Sequence, residues 1–155
     1  MVMRPLRALI ADESPALRRW YAAALQRVAS HVEEHASGWE LLLRLADDRP
    51  YGLVVASRSL PGIGGVQILT MLRAAGAHVP FVLVAPFCDG GTRALVARLP
   101  SAALIEDSLD AVRLADTAAE LVTSSPASEA QAEKVRRAVA LRARNTRTRR
   151  RQALG

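Results

Sequence analysis

Five short runs rich in apolar residues recur along the 155-residue chain, each followed by a stretch of helical periodicity, and this alternation restricts the fold more than any other feature. The runs are Arg7–Ala11, His31–His35, Leu53–Ala56, Phe81–Ala85 and Ala102–Ile105. RALIA, LVVA and FVLVA are continuously apolar, as strands covered by helices on both faces must be, and so belong at the centre of a sheet. HVEEH is polar enough for an edge. The expected fold class is α/β: a five-stranded parallel sheet, doubly wound, followed by a basic helical tail.

The intervening stretches read as helices. In the first, Leu17, Tyr21, Ala24, Leu25 and Val28 share one face, and Ser14-Pro15 supplies an N-cap and a first-turn proline. The others are expected at about Trp39–Ala46, Val66–Ala75, Gly91–Leu99 and Leu109–Val122. In a doubly wound sheet the functional crevice lies beyond the carboxyl ends of the strands. That rule directs attention to Asp12-Glu13, Ser57-Arg58-Ser59, Ala85-Pro86 and Glu106-Asp107.

Charge divides the chain. Up to Ser125 twelve arginines face thirteen acids, a net −1, whereas from Pro126 onward nine basic residues face Glu129 and Glu133, so the tail carries +7 and the whole chain +6. Residues 1–122 are expected to form one domain, 123–128 a small, polar linker, and 129–155 a tail. A capping box at Ser128-Glu-Ala-Gln131 starts a helix to about Arg144. Its stripe of Ala132, Val135, Val139 and Ala143 is read as too small to dock, so the helix is expected to point away from the body and to end in disorder. One cysteine, Cys88, rules out an internal disulfide framework, and the first residues carry neither a signal-peptide pattern nor a spanning length. A cytoplasmic location, with no membrane contact, is the expectation.

The motifs at the strand ends fall in one register. They are Leu9-Ile-Ala-Asp-Glu-Ser-Pro15, Ala36-Ser-Gly38, Leu53-Val-Val-Ala-Ser57 and Leu60-Pro-Gly-Ile-Gly-Gly65. Together they resemble the receiver domain of bacterial response regulators, the CheY-like fold, over about Leu6 to Val122. The resemblance implies a two-component signalling role, in which a histidine kinase phosphorylates an aspartate beside a magnesium ion bound by an acidic pair, with a lysine and a hydroxyl holding the phosphoryl group. Here only the acidic pair, Asp12 and Glu13, persists. The acceptor position falls on Ser57, the hydroxyl on Ala85, the lysine on Glu106, its following proline on Asp107 and the switching aromatic on Ala103. A serine hydroxyl cannot form the family's acyl phosphate. The chain is therefore expected to be a degenerate pseudo-receiver with no catalytic residue, no cofactor and no small-molecule substrate.

Further expectations follow from these changes. Glu106 near Asp12 and Glu13 is expected to raise a carboxyl pKa by like-charge proximity, and the Glu106-Asp107 peptide is expected to be trans, a non-proline cis bond being costly. Two carboxylates can ligate a hard cation, but without a third they read as charges at a helix start. His31, His35 and His78 lack ligand spacing, Cys88 has no visible activating base, and Trp20 and Trp39 are read as packing residues before partner anchors.

Function is then expected on surfaces. The resemblance implies a contact face on the fourth helix, fifth strand and fifth helix, here residues 89–99, 102–105 and 108–122, with Leu95, Ile105 and Val112 as partner-binding candidates. The leading expectation is a phosphorylation-independent adaptor that binds a protein partner, which includes the case of a homodimer. The alternative is nucleic-acid binding, with the body as dimeriser and Arg136, Arg137, Arg142, Arg144, Arg147, Arg149, Arg150 and Arg151 neutralising phosphates or another anionic partner. The tail contains no aromatic residue on which a base might stack.

Overall fold

A computed structural model describes residues 5–47, 49–125 and 128–154. Five strands, β1 (Arg7–Ala11), β2 (His31–His35), β3 (Leu53–Ser57), β4 (Phe81–Val84) and β5 (Ala102–Ile105), form one parallel sheet in the order β2-β1-β3-β4-β5. The helices are α1 (Pro15–Ala24), α2 (Gly38–Leu45), α3 (Gly65–Ala74), α4 (Gly90–Arg98), α5 (Ala111–Ser124) and α6 (Glu129–Ala153). Alternation along each central strand divides the core. Leu9, Ala11, Val54, Ala56, Phe81 and Leu83 join the layer of α2, α3 and α6, while Ala8, Ile10, Leu53, Val55, Val82 and Val84 join that of α1 and α5.

Local chemistry starts the helices. Ser14, Ser37, Asp89 and Asp110 cap α1, α2, α4 and α5 by accepting from backbone N–H groups three residues on. Gly62 in the loop before α3 has φ +83°, a conformation that favours glycine, and a Cβ there would run into the Trp39 ring. At Gly38 a Cβ would strike the Ile63 carbonyl, so the loop can lie directly on the first turn of α2.

Two polar clusters brace the base. Glu33 on β2 accepts from Arg44 Nε at 2.7 Å and Nη2 at 3.0 Å and from the Tyr51 hydroxyl at 2.9 Å, while Arg7 donates to that hydroxyl at 2.8 Å. The Arg44 hydrogen bonds hold the Glu33 carboxyl well below the usual carboxylate range. His31 and His35 flank the same carboxylate. Arg73 is buried and donates to the carbonyls of Pro100, Ala77, Val79 and Ser101, tying α3 to the loops before β4 and β5.

The tail departs from expectation. Its helix does not end at Arg144 but continues to Ala153, and Ala132, Val135, Ala138 and Val139 are buried against the layer of α2 and α3. The tail's apolar stripe is small, but its alanine and valine side chains allow close approach to the apolar surface that α2 and α3 present. Gln131 Oε1 accepts from the His78 backbone N–H at 2.8 Å and the Ser125 hydroxyl donates to the His78 carbonyl at 3.3 Å. Only half of the capping box forms, Ser128 Oγ accepting from Gln131 N–H, because the Gln131 side chain is engaged at His78. The expected linker is shorter too, since Thr123 and Ser124 complete α5; of its residues, 126 and 127 lie outside the described residues.

Candidate functional site

The crevice beyond the strand ends gathers the residues singled out in the sequence. Asp12 follows β1 and is buried; its Oδ1 accepts from Ser14 N–H at 2.8 Å and its Oδ2 from the Tyr21 hydroxyl at 3.2 Å. Burial, and then the Asp12 charge, push the Tyr21 phenol above its ordinary range, so it remains a donor to Asp12 at all ordinary pH. Arg18 closes this side by donating to the Asp12 carbonyl at 2.7 Å and approaching Glu34 at 3.7 Å. Glu13 is exposed.

Ser57 ends β3, half-buried, and its Oγ accepts from Ser59 N–H at 3.3 Å. Ala85, fully buried after β4, offers a methyl group. Glu106, just past β5, is exposed and accepts from Arg93 Nη2 at 2.7 Å and Nε at 2.9 Å. The expectation of a raised carboxyl pKa from Glu106 is therefore wrong in sign at Glu106 itself: the Arg93 guanidinium holds that carboxyl below its ordinary value. A second pair, Arg58 with Asp89 at 3.0 Å, joins the loop after β3 to the cap of α4. The described residues contain no cis peptide bond, as expected for Glu106-Asp107.

A magnesium ion of the kind the resemblance implies prefers octahedral oxygen ligation by carboxylates and water. These residues do not fit it. Both Asp12 oxygens are engaged, the third carboxylate is replaced by Ser57, and among the described residues no three His, Cys, Asp or Glu side chains come together to hold a metal. The sequence reading missed the roles of Arg93 and Tyr21, for each lies on a neighbouring helix rather than at a strand end, and it named Arg58 after β3 without its partner Asp89. Cys88 is buried beside the Asp89 carbonyl.

The three candidate partner residues fare differently. Ile105 is 1% exposed and belongs to the core facing α1 and α5, so it cannot meet a partner; a strand-end apolar residue was misassigned to the outer surface. Leu95 is half-buried, whereas Val112 is 72% exposed. Phe87 and Leu109, which sequence reasoning passed over, are exposed in the loops after β4 and β5, Phe87 with φ +58° and no cover at all. Of the tail arginines, Arg136 and Arg137 pair with Glu129 and Glu133. Arg142, Arg144, Arg147, Arg149, Arg150 and Arg151 make no ion pair among the described residues.

No protein-family model and no curated protein matches the sequence. Solved structures do. The signal receiver domain assigned to a Luxo repressor protein of Vibrio parahaemolyticus matches with a TM-score of 0.69 at 15% identity, over 78% of this chain and 92% of that one. A response regulator receiver protein from Sinorhizobium medicae gives 0.67 at 17% identity, over 78% and 97%. A chemotaxis response regulator of Vibrio cholerae gives 0.64 at 16%, over 76% and 99%. The chain has the CheY-like receiver fold with a helix added at its C-terminal end. No helix among the described residues is long and apolar enough to cross a membrane.

Proposed function

We propose that this chain is a signalling adaptor built on a receiver fold and independent of phosphorylation, which engages a protein partner through the surface around α4, β5 and α5. The observation that carries the reading is the Arg93–Glu106 pair, which ties α4 to the end of β5 with the protein's own charges. The resemblance implies a lysine and a hydroxyl that hold a phosphoryl group; here Glu106 stands at the lysine position, Ser57 offers no carboxylate and Ala85 no hydroxyl. Phe87, Leu109 and Val112 surround this surface as exposed apolar side chains on the loops and first turn that follow β4 and β5. The reading predicts no covalent adduct after incubation with a small phosphodonor and magnesium, read by intact mass. It also predicts that Phe87→Asp with Val112→Asp removes partners captured from the native cell while the fold persists. Retention of the same partners by that variant would count against it.

A second reading, nucleic-acid binding through the tail, is supported by the six unpaired arginines on one ordered helix. Affinity for nucleic acid that falls steeply with salt, and is lost with Arg147→Glu plus Arg151→Glu, is its test.

A further inference from the structure

α6 runs antiparallel to α2. Ala132 and Val135 lie near Leu45 at the end of α2, and Arg142 to Arg150 lie across from Trp39 at its start. Between Trp39 and the second half of α6 is an open cleft of about 340 Å³, walled by the indole, by Arg142, Arg149 and Arg150, and by Asn145 and Thr146. Its walls hold no carboxylate. The Cδ1–Nε1 edge of the indole is turned toward Gly62, and the ring is half-buried, fixed against the core by the loop before α3. Arg142, which lines the cleft, has a buried Nε with no hydrogen-bond partner.

We propose that this cleft binds single-stranded nucleic acid, with a base against Trp39 and the adjoining phosphates on Arg142, Arg149 and Arg150. The inference rests on the nucleic-acid reading of the tail and turns an electrostatic arm into a built site. Guanidiniums beside a fixed aromatic ring form the pairing that single strands use, because every base has a π-face and every linkage a charge. The aromatic residue missing from the tail comes from α2. Duplex DNA keeps its bases stacked on one another and so meets the arginines alone. Polyglutamate, an acidic chain without a planar or apolar group for the indole, meets the arginines alone. A free nucleotide is held best in an enclosed pocket, whereas this cleft is open and presents three arginines along one face of α6.

The test uses the full chain and fluorescence anisotropy with a labelled oligothymidylate, a matched duplex, ATP and polyglutamate as probes. Binding to the single strand should exceed binding to the duplex and to ATP. Trp39→Leu should weaken it about tenfold, with Trp39→Phe recovering most of the loss. Arg149→Glu with Arg150→Glu should nearly abolish it and flatten the salt dependence by roughly 0.7 in log-log slope per lost phosphate contact. In a Trp20→Phe background, which leaves Trp39 as the sole indole, titration with unlabelled oligothymidylate should quench emission. Melting temperatures and circular dichroism verify each fold, and Trp39→Phe keeps the stacking claim testable where Trp39→Leu unfolds. No binding to any nucleic acid overturns both the tail reading and the site. Binding that depends on the arginines but is equal for duplex and single strand, and indifferent to Trp39, leaves the arm and overturns the site. ATP or polyglutamate competing as well as the oligonucleotide overturns the single-strand assignment.

Discussion

The Glu106 carboxylate stands at the end of β5, and an arginine from α4 balances its charge. Glu106 and Arg93 are both half-exposed, so their pair contributes little to global stability. Its effect is local. Glu106→Gln should leave the melting temperature nearly unchanged and speed amide exchange over residues 86–93, measured by mass spectrometry; unchanged exchange there would show that the pair restrains nothing. Glu33 behaves otherwise, being 19% exposed and held by a paired guanidinium and a phenol. Its carboxyl pKa is lowered in the folded state, chiefly by Arg44, so its stabilisation is full above the ordinary carboxylate range and drains away as pH falls through and below it. Urea unfolding should show Glu33→Gln less stable than the parent by about 1–3 kcal/mol at neutral pH, with the gap narrowing as pH falls below about 4. Arg73 is a third case. Burial pulls its guanidinium down to about 10, still charged at neutral pH, and four carbonyls depend on it. Arg73→Leu should cost about 3 kcal/mol or more, since buried acceptors lose a charged donor.

At the scale of elements, α6 is the part that most changes how the chain is understood. Val135 is 5% exposed between α2 and α3 layers, so Val135→Asp should destabilise by about 3 kcal/mol or more, a fall of roughly 6–12 °C in melting temperature. Deleting 126–155 should destabilise the body as well, contrary to what an undocked tail would do. The strands were legible because continuous apolar runs admit few alternatives, and β2 was legible as an edge from Glu33 and Glu34 alone. Helices α2 to α5 were legible to within about two residues from caps and periodicity, whereas α1 ends at Ala24, short of the Val28 that its periodicity included. α6 was legible as a helix but not as a docked one, since Ala132, Val135 and Ala138 say nothing about the surface that receives them. For the same reason the strand-end positions 57, 85 and 106 could be read in order, while the partners of Arg93 and Arg58 and the neighbours of Trp39 could not. Their roles depend on which elements meet across the sheet, and linear spacing does not encode that.

At the scale of the whole molecule, charge and topology are arranged together. The near-neutral body and the basic tail are not separate pieces, for α6 crosses the outside of one helical layer from the base of the sheet toward the loop that holds Gly62. Its first half closes the core, and its second half carries the unpaired arginines. The order of synthesis then matters. Until Ala132 to Val139 have left the ribosome, the α2 and α3 side of the nascent domain lacks its cover, although every strand is already available to pair. A chain arrested just after α5 should therefore be bound by chaperones that recognise apolar surface, and should be released once residues to about 140 are free, which photo-crosslinking of staged nascent chains can follow. α6 is made after every element that it covers, so a chain that stops short of it fails in its core and not only in its basic surface.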